Sequence, residues 1–226
     1  FETLGISIYE GFGITECAPL VCVTPYFARK YGSVGPAVPC CQGRIDGTGV
    51  GSHGYIEGEI QIKGDNVMLG YMDMPEETAA VIDAEGWFHT GDMGYIDENG
   101  YAYITGRKKN VIITKNGKNV YPEELEYQLS LISFVEESFV FEGESEKDDT
   151  TIIASIKLDQ ETMEEILGAE YTEEQAKELV WKEVDKINAD APFYRKIKKV
   201  IIRKSEFIKN SSKKLIRFAE ENKKED

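Results

Sequence analysis

Polar and apolar residues alternate at two places in the first half of the chain. The run Glu59–Lys63 alternates polar residues with isoleucine, which is the period of a half-buried β-strand. The run Tyr101–Thr105 alternates with aromatic residues and follows Asp97–Gly100, whose Asn-Gly pair favours a hairpin. We therefore predict a strand at each place, and we predict a loop at 43–54, which contains five glycines.

The second half of the chain interleaves strand and helix patterns. Pro122 and the two glutamates after it predict the start of a helix that runs to Leu131. Apolar residues recur at helical spacing from Ala176 to Ile187. Short apolar runs predict four strands, at Val111–Ile113, Ser138–Phe141, Thr151–Lys157 and Lys199–Arg203. An acidic loop separates the second of these strands from the third, and the mixture predicts a small α+β domain.

These patterns predict an α+β protein with two parts. Residues 1–106 form a strand-rich part, a short polar and basic segment at 107–110 suits a hinge, and residues 111–226 form the small α+β domain. The chain begins at Phe1, without Met, and continues directly into glycine-rich sequence. We therefore expect it to be the C-terminal part of a longer protein.

The charge of the chain is unevenly distributed. The formal net charge of −15 repels phosphate backbones, so no nucleic-acid partner is expected. Acids outnumber bases 16 to 5 between Glu142 and Asp190, whereas bases outnumber acids 10 to 1 between Pro192 and Phe218. A strongly basic end on an acidic protein needs an explanation.

The cysteine pattern and the lengths of the apolar runs predict the cellular location of the protein. The four cysteines are Cys17, Cys22, Cys40 and Cys41, and the two histidines are His53 and His89. No CxxC pair exists, so we predict no zinc site and free thiols in a reducing cytoplasm. The sequence shows no signal peptide and no apolar run of about 18 residues, so we predict no transmembrane span.

The segment Tyr9–Glu16 carries groups that suit a nucleotide. Its glycines, among them Gly13, let the backbone approach a ligand closely. Thr15 offers a hydroxyl to a phosphate oxygen, and Glu16 offers a hard oxygen to Mg²⁺. Phe12 offers a flat face to an adenine ring. The alternative is a glycine-rich turn with a helix cap.

Two further segments suit a ribose and its phosphates. In Gly86–Asp92, the carboxylate of Asp92 can accept hydrogen bonds from both ribose hydroxyls, with a simple Thr-Gly-Asp turn as the alternative. His89 is assigned a structural role. In Thr105–Asn110, the planar fork of Arg107 can hold ribose or phosphate oxygens, with a solvated basic turn as the alternative.

The segment Lys209–Arg217 is rich in lysine. A lysine ammonium is a compact charge on a flexible stem, which suits an oxyanion or a leaving phosphate that must be reached and then released. The alternative is a basic surface tail.

In their order and spacing, these segments resemble the adenylate-forming superfamily, which includes acyl-CoA synthetases, firefly luciferase and the adenylation domains of peptide synthetases. The matching motifs are Glu10–Glu16, Gly58–Gly64 with Gly70 and Tyr71, Trp87–Asp92, Gly106–Glu126 and Lys214–Arg217. Within the superfamily, Ile112–Pro122 looks most like the corresponding segment of bacterial long-chain fatty-acid CoA ligases.

The resemblance implies a reaction in two steps, with ATP, Mg²⁺ and coenzyme A. A carboxylate attacks the α-phosphate of ATP, and a thiol then displaces AMP from the acyl-adenylate. By motif position the residues that bind the nucleotide are Phe12, Gly13, Asp92 and Arg107. Thr15 would contact phosphate, and Glu16 would bind the metal. The implied catalytic residues are Lys214, Thr15 and Glu16, with Lys213 as a rival to Lys214.

The resemblance also implies that the C-terminal domain is a lid that rotates between the two steps. Lys109 would be the pivot, and Gly117 would lie beside the channel for coenzyme A. The basic segment would approach the phosphates of ATP in one state and those of coenzyme A in the other. The superfamily's phosphate-binding loop and most of its acid pocket are expected upstream of Glu10, so the chain alone is expected to be inactive.

The leading hypothesis is therefore part of an acyl-CoA synthetase that acts on a fatty acid. Its partners would be the small carboxylic acid, ATP and coenzyme A, and a peripheral membrane contact stays open. One alternative is an adenylating ligase that loads a carrier protein or uses an aryl acid. The other is a binding module of the same fold that has lost catalysis.

Overall fold

The computed structural model describes three stretches of the chain, residues 2–51, 53–143 and 150–224. The chain divides into two compact units, the first at residues 1–109 and the second at 110–226. Both units contain strands and helices, so the predicted α+β class is confirmed. The predicted acidic loop includes residues 144–149, which lie outside the described residues. A rotation about the segment 107–110 stays a prediction.

The first unit is built on antiparallel strands. Its elements are β1 (Gly11–Gly13), β2 (Leu20–Val23), β3 (Gly35–Pro36), β4 (Cys41–Val50), β5 (Ile56–Gly64), helix α1 (Pro75–Val81), β6 (Phe88–Ile96) and β7 (Tyr101–Arg107). Strands β1 and β2 pair with each other, and the other five form one sheet in the order β3-β7-β6-β5-β4. Each neighbouring pair in that sheet runs antiparallel.

The predicted hairpin at Asp97–Gly100 is confirmed as the connection between β6 and β7. Asp97 Oδ1 accepts hydrogen bonds from the backbone amides of Asn99 and Tyr101, each at 2.9 Å. An aspartate that bonds the backbone two residues ahead is a common way to fix such a turn.

Strand β5 is confirmed as a strand, but it is not half-buried. Ile60 and Ile62 lie in the core with exposed fractions of 1% and 0%. The polar residues between them are also covered, since Glu59 is 4% exposed and Gln61 is 1% exposed. The middle of the polar face, at Glu59 and Gln61, is therefore part of the interior.

The prediction of a loop at 43–54 is wrong for most of that stretch, which lies in β4. One of the glycines, Gly47, serves close pairing of backbones together with Gly58 of β5. A Cβ on Gly47 would lie 2.2 Å from the carbonyl oxygen of Glu57, and a Cβ on Gly58 would lie 2.2 Å from that of Asp46. Strands β4 and β5 approach this closely because neither glycine has a side chain.

The second unit combines a short hairpin, a three-stranded sheet and three helices. Its elements are β8 (Ile112–Ile113), β9 (Asn119–Val120), α2 (Pro122–Ser130), β10 (Val135–Gly143), β11 (Thr151–Leu158), α3 (Gln160–Leu167), α4 (Glu173–Asp190) and β12 (Ile197–Arg203). Strand β10 runs antiparallel to β11, and β11 runs parallel to β12. Helices α3 and α4 form the crossover that two parallel strands require.

The two predicted helices are confirmed as α2 and α4. Leu125 and Leu129 of α2 and Val180 and Val184 of α4 are fully buried in one core. Helix α4 begins at a capping box that Thr172 forms with the residue three positions later. Helices α1 and α3 were not predicted, because seven or eight residues show little periodicity.

The cysteines are free, as predicted. Burial raises the pKa of Cys17 to about 11 and that of Cys22 to about 12, with a smaller contribution from Cys41. These buried thiols are therefore protonated and unreactive at neutral pH. None of the described helices has both the length and the apolar composition that a membrane span requires.

Candidate active site

A cavity of about 470 Å³ opens in the first unit. Its apolar wall includes residues of α1 and the start of β6. Its polar wall includes Glu16, Glu59, Tyr71, Arg107 and Lys108. The cavity therefore joins residues of four predicted motifs that are far apart in the sequence.

The Thr-Gly-Asp segment lies inside strand β6 and is not the simple turn that was the alternative there. Glu59 of β5 pairs with Met93 of β6, and Gln61 pairs with His89. Two steps along β5 therefore correspond to four steps along β6. The residues Thr90–Asp92 form the resulting bulge. Such bulges re-aim side chains and are frequent beside active sites.

Side chains from both strands hold the bulge in place. Gly91 has a φ of +70°, a conformation that favours glycine, and its backbone amide donates to Glu59 Oε1 at 3.0 Å. Thr90 Oγ1 donates to the carbonyl of Ile60 at 2.7 Å and accepts the amide of Asp92 at 3.0 Å. The bulge is thus a rigid feature of the sheet.

The structure brings Asp92 and Arg107 together. Arg107 Nε lies 2.7 Å from Asp92 Oδ1, and Arg107 Nη1 donates to the carbonyl of Thr90 at 3.3 Å. Asp92 is buried, whereas the Arg107 side chain is 47% exposed and lines the cavity. Arg107 therefore stands on the wall, with Asp92 directly behind it. Their roles toward a nucleotide stay predictions.

Glu59 is a site residue that the sequence prediction missed. Lys108 Nζ donates to Glu59 Oε2 at 2.8 Å, and His89 Nδ1 lies 3.3 Å from the same oxygen. Burial raises the pKa of Glu59, but the contacts with Lys108, His89 and the Gly91 amide outweigh burial and hold it below the ordinary value. The available signal was its place in the matching motif Gly58–Gly64, whose glutamate was given no role.

Replacing Glu59 with glutamine is expected to remove a pH-dependent part of the stability. The native pKa is lowered, so the charged carboxylate stabilises the fold above its ordinary pKa of about 4.3 and loses this effect as the pH falls through the native value. The difference in unfolding free energy between wild type and Glu59→Gln should therefore shrink in acid. Urea unfolding of both proteins at a series of pH values measures it, and a difference that does not change with pH would contradict the assignment.

Three potential metal ligands meet beside this network, namely Asp46, Glu59 and His89. Protein donors already serve them. Gln61 Nε2 donates to Asp46 Oδ2 at 3.1 Å and lies 3.1 Å from His89 Nδ1, while Lys108 pairs with Glu59. These contacts join the three side chains to the network of Glu59, and the structural role of His89 stays a prediction.

Glu16 lines the same cavity and keeps a carboxylate available. Tyr71 donates its hydroxyl to Glu16 Oε1 at 2.9 Å, and within the described parts of the chain this is the one hydrogen bond of the Glu16 side chain. Burial, followed by this hydrogen bond, raises the pKa of Tyr71. A half-buried carboxylate with one oxygen free of protein donors fits a Mg²⁺ ion that takes its other ligands from water and phosphate.

The other residues of the first motif are placed differently. A Cβ on Gly13 would lie 2.4 Å from the carbonyl oxygen of Pro19, so the close approach of the backbone there requires glycine. The contact of Gly13 with a nucleotide stays a prediction. Phe12 is half-buried and packs against the core of the unit, and Thr15 is exposed. Stacking of Phe12 on adenine and contact of Thr15 with phosphate stay predictions.

The predicted residues of the second unit lie on exposed turns. Gly117 has a φ of +69° in the turn between β8 and β9. Lys213 and Lys214 are exposed in a turn near the C-terminus, and Lys213 has a φ of +59°. Lys109, the predicted pivot, is the last residue of the first unit and is also exposed.

Two family models match the chain. Residues 1–72 match the model described as AMP-binding enzyme, and residues 109–223 match the model described as AMP-binding enzyme C-terminal domain.

Curated proteins and solved structures match as well. A 2-succinylbenzoate–CoA ligase of Bacillus cereus is 40% identical over 124 residues, which make up 54% of this chain and 25% of that protein. A long-chain-fatty-acid–CoA ligase of Bos taurus is 42% identical over 130 residues, which make up 56% of this chain and 17% of that protein. The O-succinylbenzoate coenzyme A synthetase of Bacillus subtilis in complex with AMP has a TM-score of 0.77 and 26% identity, over 96% of this chain and 41% of that one. It has also been solved with ATP and a magnesium ion, at a TM-score of 0.74. The chain thus spans less than half the length of these relatives.

Proposed function

Because the chain belongs to the AMP-binding enzyme family, we propose that the protein is a ligase that activates a carboxylic acid with ATP and transfers it to coenzyme A. A fold supports many functions, so the proposal needs support from the site itself. The observation that carries it is the cavity of the first unit, where Glu16 and Arg107 share one wall and Asp92 pairs with Arg107.

The proposed reaction balances in two steps. In the first, a carboxylate oxygen forms a bond to the α-phosphorus of ATP, and the bond from that phosphorus to pyrophosphate breaks. In the second, the thiol of coenzyme A loses its proton as its sulfur forms a bond to the acyl carbon. The bond from that carbon to the oxygen of AMP then breaks. The products are a thioester, AMP and pyrophosphate.

The residues on the cavity wall suit the nucleotide part of this reaction. Arg107 is always charged, and the ion pair with Asp92 fixes the position of its side chain. Its exposed part can meet anionic oxygens, while the buried carboxylate of Asp92 behind it holds the guanidinium in place. Glu16 supplies a hard oxygen that can hold Mg²⁺, which when bound neutralises phosphate charge. A relative with bound ATP and magnesium supports both ligands.

The identity of the acid is the finer part of the proposal. The fatty acid predicted from the sequence is supported by the ligase of Bos taurus, whereas the 2-succinylbenzoate ligases support an aryl acid. The predicted kinship with bacterial long-chain fatty-acid ligases gains no specific support from these relatives. We therefore propose a carboxylic acid of one of these two classes as the substrate. The cytoplasmic location stays a prediction.

The full-length protein is expected to exchange labelled pyrophosphate into ATP only when its acid is present. Parallel assays would offer 2-succinylbenzoate, a long-chain fatty acid or no acid, and would then follow thioester formation after coenzyme A is added. Exchange with one acid and a thioester product would support the proposal. Exchange followed by transfer only to a carrier protein would show that the acceptor is a carrier protein and not coenzyme A. ATP binding without exchange for either acid would favour a non-catalytic module.

A further inference from the structure

The residues 208–217 form a small hairpin, called here the Lys214 hairpin. The amide of Ile216 donates to the carbonyl of Ile208 at 3.0 Å, and the amide of Asn210 donates to the carbonyl of Lys214 at 2.9 Å. Asn210 Oδ1 accepts the amide of Lys214 at 2.9 Å. The turn that presents Lys214 therefore has a defined backbone.

Arg217 attaches this hairpin to helix α2. Its Nη2 pairs with Glu126 Oε2 and lies 3.5 Å from Glu123 Oε1. Its guanidinium also lies over the ring of Phe139, 5.6 Å from the centroid. The Arg217 side chain is only 22% exposed, so this is a largely buried contact and not a surface ion pair.

Glu126 depends on Arg217 as its counter-charge. Burial raises the pKa of Glu126, and the charge and hydrogen bond of Arg217 oppose that rise. Its other oxygen, Oε1, accepts the backbone amide of Val140 at 2.8 Å. One carboxylate thus joins α2, strand β10 and the Lys214 hairpin. A second anchor is the pair that Lys209 Nζ forms with Glu137 on the same strand.

The second carboxylate near Arg217 links the hairpin to the start of the unit. Glu123 Oε1 accepts the side-chain amide of Asn110 at 2.6 Å. Asn110 is the first residue of the second unit and the last of the predicted hinge. The first turn of α2 therefore connects the hinge side of the unit with the Lys214 hairpin.

We propose that Arg217 is a positioning residue for Lys214, because its bonds to the carboxylates of α2 hold the Lys214 hairpin to the side of the unit that carries the predicted hinge residue Asn110. This inference rests on the proposed function. A lysine on an exposed turn would otherwise sample many positions. A rigid mount lets the motion of the whole unit place its ammonium group at the reacting phosphate.

The test is Arg217→Met in the full-length protein, which keeps the apolar stem and removes the fork. Pyrophosphate exchange should fall about 100-fold, since misplacing a catalytic group by about 1 Å costs that much. Thioester formation from supplied acyl-adenylate should fall far less, because that step does not use Lys214. Amide hydrogen exchange should become faster in residues 208–217. Arg217→Lys keeps the charge and should recover part of the exchange activity.

Arg195→Met is the matched control. Arg195 pairs with Glu124 of the same helix at 2.6 Å, and the side chains are 17% and 18% exposed. It does not belong to the Lys214 hairpin. Its loss should therefore lower stability without lowering pyrophosphate exchange more than thioester formation.

The inference is overturned if Arg217→Met lowers both half-reactions by the same factor, or if Arg195→Met gives the same separation. A wild-type protein that exchanges no pyrophosphate with any acid would refute the proposed function instead, before any variant is compared.

Discussion

Replacing Lys214 with alanine is expected to lower pyrophosphate exchange by about 10²–10³-fold, the usual cost of removing one donor that stabilises charge in a transition state. The formation of the acyl-adenylate concentrates negative charge at the phosphate, so an ammonium group stabilises the transition state more than the bound substrates. Thioester formation from supplied acyl-adenylate should survive, because no bond to phosphorus forms or breaks in that step. The measurement compares the two half-reactions of wild type and Lys214→Ala in the full-length protein.

Lys213→Gly is the matched control for this prediction. Lys213 has a φ of +59°, a conformation in which glycine is free of strain and other residues are not. Glycine at this position should therefore preserve the turn and leave pyrophosphate exchange near that of wild type. If Lys213→Gly abolishes exchange and Lys214→Ala does not, the catalytic lysine is Lys213. If both variants keep exchange, neither lysine has the proposed role.

Replacing Gly58 with alanine is expected to destabilise the first unit by about 3 kcal/mol, at the upper end of overpacking costs. The new Cβ would lie 2.2 Å from the carbonyl oxygen of Asp46 and 2.8 Å from the Cα of Gly47. These are backbone atoms, so no rotamer change can relieve the overlap, and strands β4 and β5 must separate. Because β5 also carries Glu59, the separation should disturb the bulge of β6 as well.

Gly49→Ala is the control for Gly58→Ala. Gly49 lies in β4, and a Cβ there would meet no atom within 4 Å. Urea unfolding of the full-length variants, with hydrogen exchange of the β4 and β5 amides, measures both effects. Gly49→Ala should differ little from wild type. Equal losses for the two variants would show that glycine flexibility, and not the close approach of the strands, explains the cost.

The strand, hairpin and helix predictions succeeded where local rules decide the structure. The alternating runs at Glu59–Lys63 and Tyr101–Thr105 are strands, and the helix predicted at Pro122 begins there. Each depends on interactions within one turn or one strand, which periodicity and capping residues report directly. The glutamates of α2 were likewise visible in the sequence, although the pairing of Glu126 with Arg217 was not.

Local patterns were misleading where a residue's conformation depends on a distant strand. The glycine-rich stretch 43–54 suits a turn, but most of it is strand β4, and at Gly47 the close approach of β5 requires glycine. The Thr-Gly-Asp segment suits a turn as well, yet the sheet absorbs it as a bulge in β6. In both cases the same residue type serves two conformations, and only the neighbouring strand decides between them.

The sequence by itself determined the α+β class, the order of the motifs and the candidate residues Glu16, Asp92, Arg107 and Lys214. Only the tertiary structure decided how they are supported. Glu59 meets Lys108 across 49 positions of the chain, and Arg217 meets Glu126 across 91. Periodicity and composition describe neighbours along the chain, whereas such pairs exist only after the core packs. Packing therefore determined which charges became partners.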